Sequence, residues 1–243
     1  MNQRKKAKKL FLGNSISYKA SNFIYRALLK LNILESTFHK IYKLEKVESK
    51  IEMLEDAFIR NVRAKPFVFL DGWGFNSEIL HLKHKQTIKE LFLPNESDDK
   101  HAKKIMQGLQ KTSDTIIGVH VRRGDYEHFE GGRYYFGFED YVSFMEATNE
   151  LFGNRSICFL VVSNEDCLAK FQEFKRSKIH ISQQSAMVDL LLLTMCDYII
   201  GPPSTFSLWA SYCNNIPQIL IRSKDQSFDI CDFKTYDERR LEG

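Results

Sequence analysis

The sequence predicts an α/β protein whose second half forms a doubly wound parallel sheet. Three observations indicate this fold class. From Thr115 onward, short continuous apolar runs alternate with helical segments. Runs of this kind are typical of strands buried on both faces of a parallel sheet. The intervening segments are long enough for crossover helices, for which a right-handed doubly wound arrangement is the default.

The first hundred residues are predicted to be mainly helical. Apolar residues at three- and four-residue spacing predict amphipathic helices over Ala20–Leu34 and Lys46–Val62. A short strand that ends in a glycine-rich turn is predicted over Pro66–Gly74. Helix is predicted again over residues 77–94 and over Asp98–Lys111, where an acidic residue caps the start.

The second half alternates strictly between strands and helices. The predicted strands are TIIGVHV (115–121), ICFLVV (157–162), KIHI (178–181), DYIIG (197–201) and IPQILI (216–221). The predicted helices are residues 138–152, 165–175, 186–196 and 205–213. The chain is charged and poorly periodic after Arg222, which predicts a surface tail. We therefore divide the chain into a mainly helical region (1–114), a sheet domain (115–222) and a tail (223–243).

The composition is that of a soluble globular protein. Hydrophobic residues make up 43% and charged residues 27% of the chain, and the net charge of +4 does not by itself indicate nucleic-acid binding. No apolar stretch is long enough to span a bilayer, and the five cysteines contain no CxxC pair. We expect a reduced, cytoplasmic protein. The basic run Arg4–Lys9 is interpreted as a solvated end, with weak peripheral contact to anionic lipid as the alternative.

The segment GVHVRRGDY places charged residues directly after a predicted strand. His120, Arg122, Arg123 and Asp125 lie at or just beyond its carboxyl end, where ligands bind in doubly wound sheets. Arginine suits phosphate because its planar fork makes two parallel charged hydrogen bonds. One arginine would then grip a diphosphate while the other braces the turn, for instance by pairing with Asp125. An arginine–aspartate pair that only closes the turn explains the pattern equally well.

Two further segments are candidates for the same site. Ser204 or Thr205 caps a helix after the strand that ends at Gly201, and a helix start offers free N–H groups to a phosphate. Asp189 opens an apolar helix, and its carboxylate could accept hydrogen bonds from the N1–H and amino group of guanine. An ordinary cap and an acid that complements the helix dipole are the alternatives.

Several signatures of other chemistry are absent. The sequence has no GxxxxGK[ST] loop, no GxGxxG after a strand and no DxD pattern for a divalent ion. If a diphosphate binds, arginine and backbone N–H groups must neutralise it without a metal.

Together these segments resemble the alpha-1,2-fucosyltransferases, within the superfamily that carries an HxRRGD-type motif. GVHVRRGDY resembles the first family signature, and VDLLLLTMCDYIIGPPSTFSLWASY is similar to a later block. FLDGWGFNSEIL resembles the short segment that precedes the signature in bacterial members. The resemblance covers residues 66–221, and the order and spacing of its blocks make it fairly specific.

The resemblance implies a GT-B-like, two-lobed fold whose Rossmann-like C-terminal lobe binds GDP-fucose. Arg122 matches the arginine that contacts the beta-phosphate, and Arg123 and Asp125 match residues that shape the donor site; of these, Arg122 and Asp125 are expected to be catalytic. His120 and Asp189 match positions near ribose and guanine. The turn that wraps the diphosphate and the base side is matched by Ser204, Thr205 and Phe206. The implied reaction transfers fucose to a glycan hydroxyl with inversion, with no cofactor beyond the donor; a lipid-linked acceptor is one candidate partner.

One departure leaves alternatives open. Family members begin with a strand and a GGLGNQ turn, of which Phe11–Phe23 preserves only a faint LGN echo. We therefore expect the N-terminal lobe to be shortened, rebuilt or missing. A transferase that uses another GDP-sugar and a non-catalytic relic that binds a GDP-sugar are the alternative functions.

Overall fold

The chain divides into two compact units between Leu93 and Pro94. The computed structural model describes residues 15–44, 51–72, 74–171, 174 and 177–241. The basic run Arg4–Lys9 and Trp73 therefore lie outside the described residues. Each unit is described separately.

The N-terminal unit combines helices with short parallel strand pairs. Its helices are α1 (Ser15–Lys30), α2 (Asp56–Arg63), α3 (Glu78–Lys83) and α4 (Lys85–Leu91). Its strands are β1 (His39–Lys43), β2 (Ile51–Glu52), β3 (Phe67–Asp71) and β4 (Phe75–Asn76). β1 pairs in parallel with β3, and β2 pairs in parallel with β4.

Two sequence predictions for this unit need correction. The helix predicted over Lys46–Val62 begins only at Asp56, because Ile51 donates its N–H to the carbonyl of Gly74 (2.8 Å) and so belongs to a strand; residues 46–50 lie outside the described residues. The strand His39–Lys43 was not predicted. Its partner lies almost thirty positions further along the chain, and no local pattern reports such a pairing.

The C-terminal unit is built on a five-stranded, fully parallel sheet. Its strands are β5 (Thr115–Val121), β6 (Ile157–Ser163), β7 (Lys178–Ile181), β8 (Tyr198–Gly201) and β9 (Gln218–Leu220). Their order across the sheet is β7-β6-β5-β8-β9, and every pairing is parallel. The predicted doubly wound parallel sheet is confirmed, and each of the five predicted strands is present.

Helices cover both faces of this sheet. They are α5 (Glu96–Gln110), α6 (Phe138–Phe152), α7 (Ala186–Leu193), α8 (Thr205–Asn214) and the C-terminal α9 (Tyr236–Leu241). Successive residues of a strand point to opposite faces, so Ile117 packs with the buried face of α6, whereas Ile116 packs with α5, α7 and α8. All seven residues of β5 are buried, which explains its continuous apolar run.

Three predicted features differ from the structure. The helix predicted over residues 165–175 is reduced to a 3₁₀ turn at Leu168–Phe171 within the described residues. Helix α5 belongs to the same compact unit as the sheet, so the structural division lies before the predicted boundary at residue 114. The predicted tail contains the buried Phe233, and Lys234 forms an antiparallel bridge with Gln218 of β9.

Gly201 allows β8 to end close against β5. A Cβ atom at this position would lie 2.8 Å from the carbonyl oxygen of His120 and 3.0 Å from its Cβ. Backbone atoms of a central strand cannot shift easily, so only glycine fits here.

We predict that Gly201→Ala destabilises the protein by about 1–3 kcal/mol, because the added methyl group overpacks the sheet. Gly108→Ala is the matched control: Gly108 lies exposed in α5 with no atom within 4 Å of the added Cβ. The control substitution should stabilise the protein by up to about 1 kcal/mol, since alanine is a better helix former than glycine. Urea unfolding measures both variants, and equal stabilities would contradict the prediction.

Candidate functional site

The candidate site lies at the carboxyl ends of β5, β6 and β8. The chain leaves β5 toward β6 on one side of the sheet and later returns to place β8 on the other side. Ligands of doubly wound sheets bind at such a reversal point. A cavity of about 80 Å³ opens there. It is lined by His120, Arg122, Val162, Ser163, Asn164, Ala186, Asp189 and Phe206.

Arg122 presents its guanidinium to this cavity. One Nη donates to Oδ2 of Asp125 at 2.8 Å, while the Asp125 side chain remains 59% exposed. The guanidinium carbon lies 5.5 Å from the ring centroid of Tyr126, within the range of a cation–π interaction. The Nε atom is buried and has no hydrogen-bond partner within the described part of the chain.

Arg123 is turned into the protein instead. Its Nε pairs with Glu165 at 3.1 Å, one Nη donates to the carbonyl of Phe136 at 2.6 Å and the other to the hydroxyl of Tyr135. The guanidinium also lies 4.5 Å from the ring centroid of Phe138. Arg123 is therefore the arginine that braces the turn. Its acidic partner is Glu165, while Asp125 pairs with Arg122.

His120 is held neutral beside Arg122. Burial in the sheet, with a smaller contribution from the positive charge of Arg122, lowers the pKa of His120 from 6.5 to about 3. Its ring packs against Phe206 with centroids 5.2 Å apart. The Nδ1 atom is buried and, among the residues described, has no hydrogen-bond partner. Unpaired buried polar atoms are rare in proteins, and two of them border this one cavity.

Asp189 places a buried carboxylate on the wall opposite the strand ends. It lies in the first turn of α7, and its Oδ1 accepts a hydrogen bond from Ser182. Burial raises the pKa of Asp189, and the hydrogen bond from Ser182 opposes this shift. The aspartate thus lines the same cavity as Arg122 and His120.

The turn between β8 and α8 forms the third side of the site. Ser204 caps α8, and its Oγ accepts the N–H of Phe206 at 3.3 Å. Phe206 lines the cavity, whereas Thr205 is exposed and is not among the lining residues. The hydroxyl of Tyr126 donates to the carbonyl of Pro203 at 2.6 Å, which links this turn to the loop of Arg122. Arg122 and Phe206 of the first turn of α8 therefore line one cavity, whereas Ser204 is buried and, like Thr205, is not among its lining residues.

Several residues of this site were not predicted from the sequence. Ser163 is the last residue of β6, Asn164 follows it, and Ser182 follows β7. Asn164 exchanges two hydrogen bonds with the backbone of Arg123, at 2.9 and 3.0 Å. Each is a polar residue at the carboxyl end of a parallel strand, where ligands of doubly wound sheets bind. The same pattern that indicated Arg122 could have predicted them.

Two other features are not found among the described residues. No group of three or more His, Cys, Asp or Glu side chains in the described ranges is arranged to hold a metal ion. None of the helices described has the length and apolar character to cross a membrane.

The chain matches a known family over most of its length. The sequence model of Glycosyl transferase family 11 matches residues 26–236. This range includes every lining residue of the cavity.

Curated relatives match a little over half of this chain. The chain is 31% identical over 144 residues to galactoside alpha-(1,2)-fucosyltransferase 2 of Pongo pygmaeus. The aligned region covers 54% of this chain and 40% of that protein. It is 28% identical over 156 residues to the protein of the same name of Rattus norvegicus, with coverage of 60% and 44%. The matches thus span less than half the length of these relatives.

The fold also resembles a solved structure. A point mutant of Arabidopsis thaliana FUT1 in complex with GDP superimposes with a TM-score of 0.51 at 14% identity, over 86% of this chain and 56% of that chain. At this identity the likeness concerns the fold alone. The predicted fold class, GT-B-like α/β with a parallel sheet, is confirmed.

The two arginines should affect stability differently. Arg123→Ala should lower the free energy of unfolding by about 3 kcal/mol, because Glu165 and the Phe136 carbonyl lose a charged partner. Arg122→Ala should lower it by less than about 1 kcal/mol, because its ion pair involves an exposed acid. Chemical denaturation measures both variants. The assigned roles would be wrong if the two effects were reversed.

His120 should make the protein sensitive to mild acid. Its folded pKa of about 3 lies below its ordinary value of 6.5, so the unfolded chain takes up the proton more readily. The stability linked to this shift is present above pH 6.5 and is lost as the pH falls toward 3. His120→Gln should remove up to about 1.4 kcal/mol per pH unit from the slope of unfolding free energy between about pH 6 and about pH 4.

The matched control for this measurement is the exposed His128, as His128→Gln. The raised pKa of Asp189 gives the unfolding free energy a pH slope of the opposite sign, in the wild type and in both variants alike. The difference between the slopes therefore reports the contribution of His120. Equal slopes for His120→Gln and the wild type would refute the assignment of a neutral, buried imidazole.

Proposed function

This chain belongs to Glycosyl transferase family 11, and from that membership we propose that it transfers fucose from GDP-fucose to a hydroxyl group of a glycan. The names of its relatives support a galactoside acceptor and an alpha-1,2 linkage. The matches cover less than half of those relatives, so activity, substrate and partners are all parts of this proposal.

One observation carries the proposal. Nδ1 of His120 and Nε of Arg122 are buried polar atoms without protein partners within the described residues, and both residues line the same cavity. A buried polar atom left unpaired costs about 1–3 kcal/mol, so a ligand that pairs with both atoms would recover that cost. A neutral imidazole nitrogen and a guanidinium N–H suit a ligand that offers both sugar hydroxyls and phosphate oxygens.

In the proposed complex the diphosphate lies between Arg122 and the start of α8. The guanidinium supplies a full positive charge, and the first N–H groups of α8 supply a partial one. Ser204 and Thr205 add hydroxyl groups at that helix start, while Asp125 holds the guanidinium from its exposed side. Arg123 contributes indirectly, because it fixes the loop that carries Arg122.

The nucleoside is proposed to occupy the cavity. Asp189 accepts hydrogen bonds from the N1–H and amino group of guanine. Ser182 already donates one hydrogen bond to Oδ1 of this carboxylate. Phe206 provides an apolar face for the base side, and the neutral His120 approaches the ribose. The 80 Å³ cavity is smaller than typical ligand pockets of about 300–1,000 Å³, so it would hold only part of the nucleotide.

The chemistry follows from where charge develops. As the bond between fucose and the diphosphate stretches, negative charge accumulates on the leaving phosphate, and Arg122 and the α8 N–H groups stabilise it. The acceptor hydroxyl attacks the opposite face of the sugar, which inverts the configuration, and gives up its proton to a base. We propose that no metal or other cofactor takes part, since the sequence lacks DxD and the proposed stabilisation of the diphosphate relies on Arg122 and the α8 N–H groups.

Arg122→Ala should reduce turnover by about a hundredfold or more, because the leaving group loses its main charged partner. The control is Arg155→Ala, which removes one positive charge next to the amino end of β6, at the opposite edge of the sheet. GDP release from GDP-fucose is followed with and without galactoside acceptors, in EDTA so that metal independence is tested in the same assay.

Three outcomes separate the hypotheses. Acceptor-dependent GDP release that is lost in Arg122→Ala and retained in Arg155→Ala supports the transferase. Tight GDP binding without turnover by the wild type supports the non-catalytic relic. Unchanged turnover of Arg122→Ala would exclude Arg122 as the group that stabilises the diphosphate.

A further inference from the structure

Tyr126 contacts both elements to which diphosphate binding has been assigned. Its ring lies beneath the guanidinium of Arg122, at 5.5 Å between the guanidinium carbon and the ring centroid. Its hydroxyl donates to the carbonyl of Pro203 at 2.6 Å and interacts with the side chain of Ser204, the cap of α8. The side chain is only 7% exposed, so these contacts are fixed by packing.

We propose that Tyr126 is a positioning residue that sets the distance between Arg122 and the amino end of α8, so that one diphosphate engages both. The inference deepens the proposed function and rests on it. Tyr126 is not proposed to contact the substrate.

Such a positioning residue is needed because the sheet stops short of the two groups. The register of β5 and β8 runs to Val119 opposite Ile200, and Gly201 packs against His120. Beyond Val121 and Gly201 the two segments leave the sheet as loops. The bond from Tyr126 to Pro203 joins the two loops across 77 positions of sequence.

The turn that carries Tyr126 is itself well fixed. It is a 3₁₀ turn, Gly124–Glu127, which begins at a glycine with φ of +60°. The same turn provides Asp125, so it holds Arg122 through an ion pair as well as through the ring. Phe129 stacks on Tyr126 with centroids 5.0 Å apart. A shift of this turn would therefore move Arg122 with it.

Only a tyrosine supplies both contacts. The ring supports the guanidinium, and the hydroxyl reaches the carbonyl of Pro203. Burial raises the pKa of Tyr126, while its hydrogen bond with Ser204 opposes the shift. The hydroxyl therefore stays protonated at neutral pH and remains a donor. Phenylalanine would keep the ring and lose the link between the loops.

The test compares ligands with and without phosphate. In Tyr126→Phe, the dissociation constant of GDP should rise on the order of tenfold, near the upper limit for the loss of one hydrogen bond. The dissociation constant of guanosine, which lacks the diphosphate, should not change. Calorimetry measures GDP binding, and ligand-observed NMR measures guanosine binding. If Tyr126 only stabilised the fold, the substitution would leave the binding of GDP and guanosine unchanged or would weaken both.

Tyr198→Phe is the matched control. It removes a phenol hydroxyl at the amino end of β8, away from the site, and should leave GDP binding unchanged. A double variant adds a second readout: if Tyr126 acts through Arg122, then Tyr126→Phe should weaken GDP binding much less in the Arg122→Ala background than alone. Full additivity of the two effects would overturn the proposal.

The outcomes distinguish this inference from the proposed function. If the wild type does not bind GDP, the proposed function fails and this inference fails with it. If the wild type binds GDP and Tyr126→Phe binds it equally well, only the positioning role is refuted. An equal loss of GDP and guanosine affinity would also refute it, because that result indicates general damage to the unit.

Discussion

The parallel pairing of β5 with β8 is the constraint on which the site depends. The two strands are far apart in sequence, yet they are neighbours in the sheet and end at the same edge. This pairing brings a loop with a guanidinium next to a loop that starts a helix. Gly201 is part of the constraint, because any larger residue would push the end of β8 away from His120. On its own, a loop with a guanidinium or a loop that starts a helix is a common feature of protein surfaces.

The two adjacent arginines show how one motif supports two tasks. Arg123 has its guanidinium nitrogens occupied by Glu165, Phe136 and Tyr135, and so it stabilises the loop. Arg122 keeps a buried Nε without a partner in the described residues and faces the cavity. In the proposed function this guanidinium has to be held in place before the ligand binds, since reorganisation at the moment of reaction would reduce its effect. The motif provides the charge and its support in consecutive residues.

Burial determines the protonation of the site. His120 is neutral because the sheet excludes water from it and Arg122 lies nearby, while burial raises the pKa of Asp189. Both effects follow from placing polar groups at the end of a sheet whose strands are buried on both faces. A low dielectric also strengthens each interaction between the site and a charged ligand. The same packing that stabilises the fold thus adjusts the chemistry of the cavity.

The sequence by itself determined the five strands of the C-terminal sheet and most of the helices that cover it, and it singled out Arg122, His120 and Asp189, which line the cavity at the carboxyl ends of the strands. These predictions succeed because continuous apolar runs and polar strand ends are local patterns that directly reflect burial. Only the tertiary structure decided that β8 lies next to β5, that Arg123 pairs with Glu165, and that Tyr126 reaches Pro203. It also decided the parallel pairing of β1 with β3, in a region where the sequence favoured helix. These contacts join residues far apart along the chain, and no periodicity within a short window reports which distant partner a side chain or a strand edge will meet.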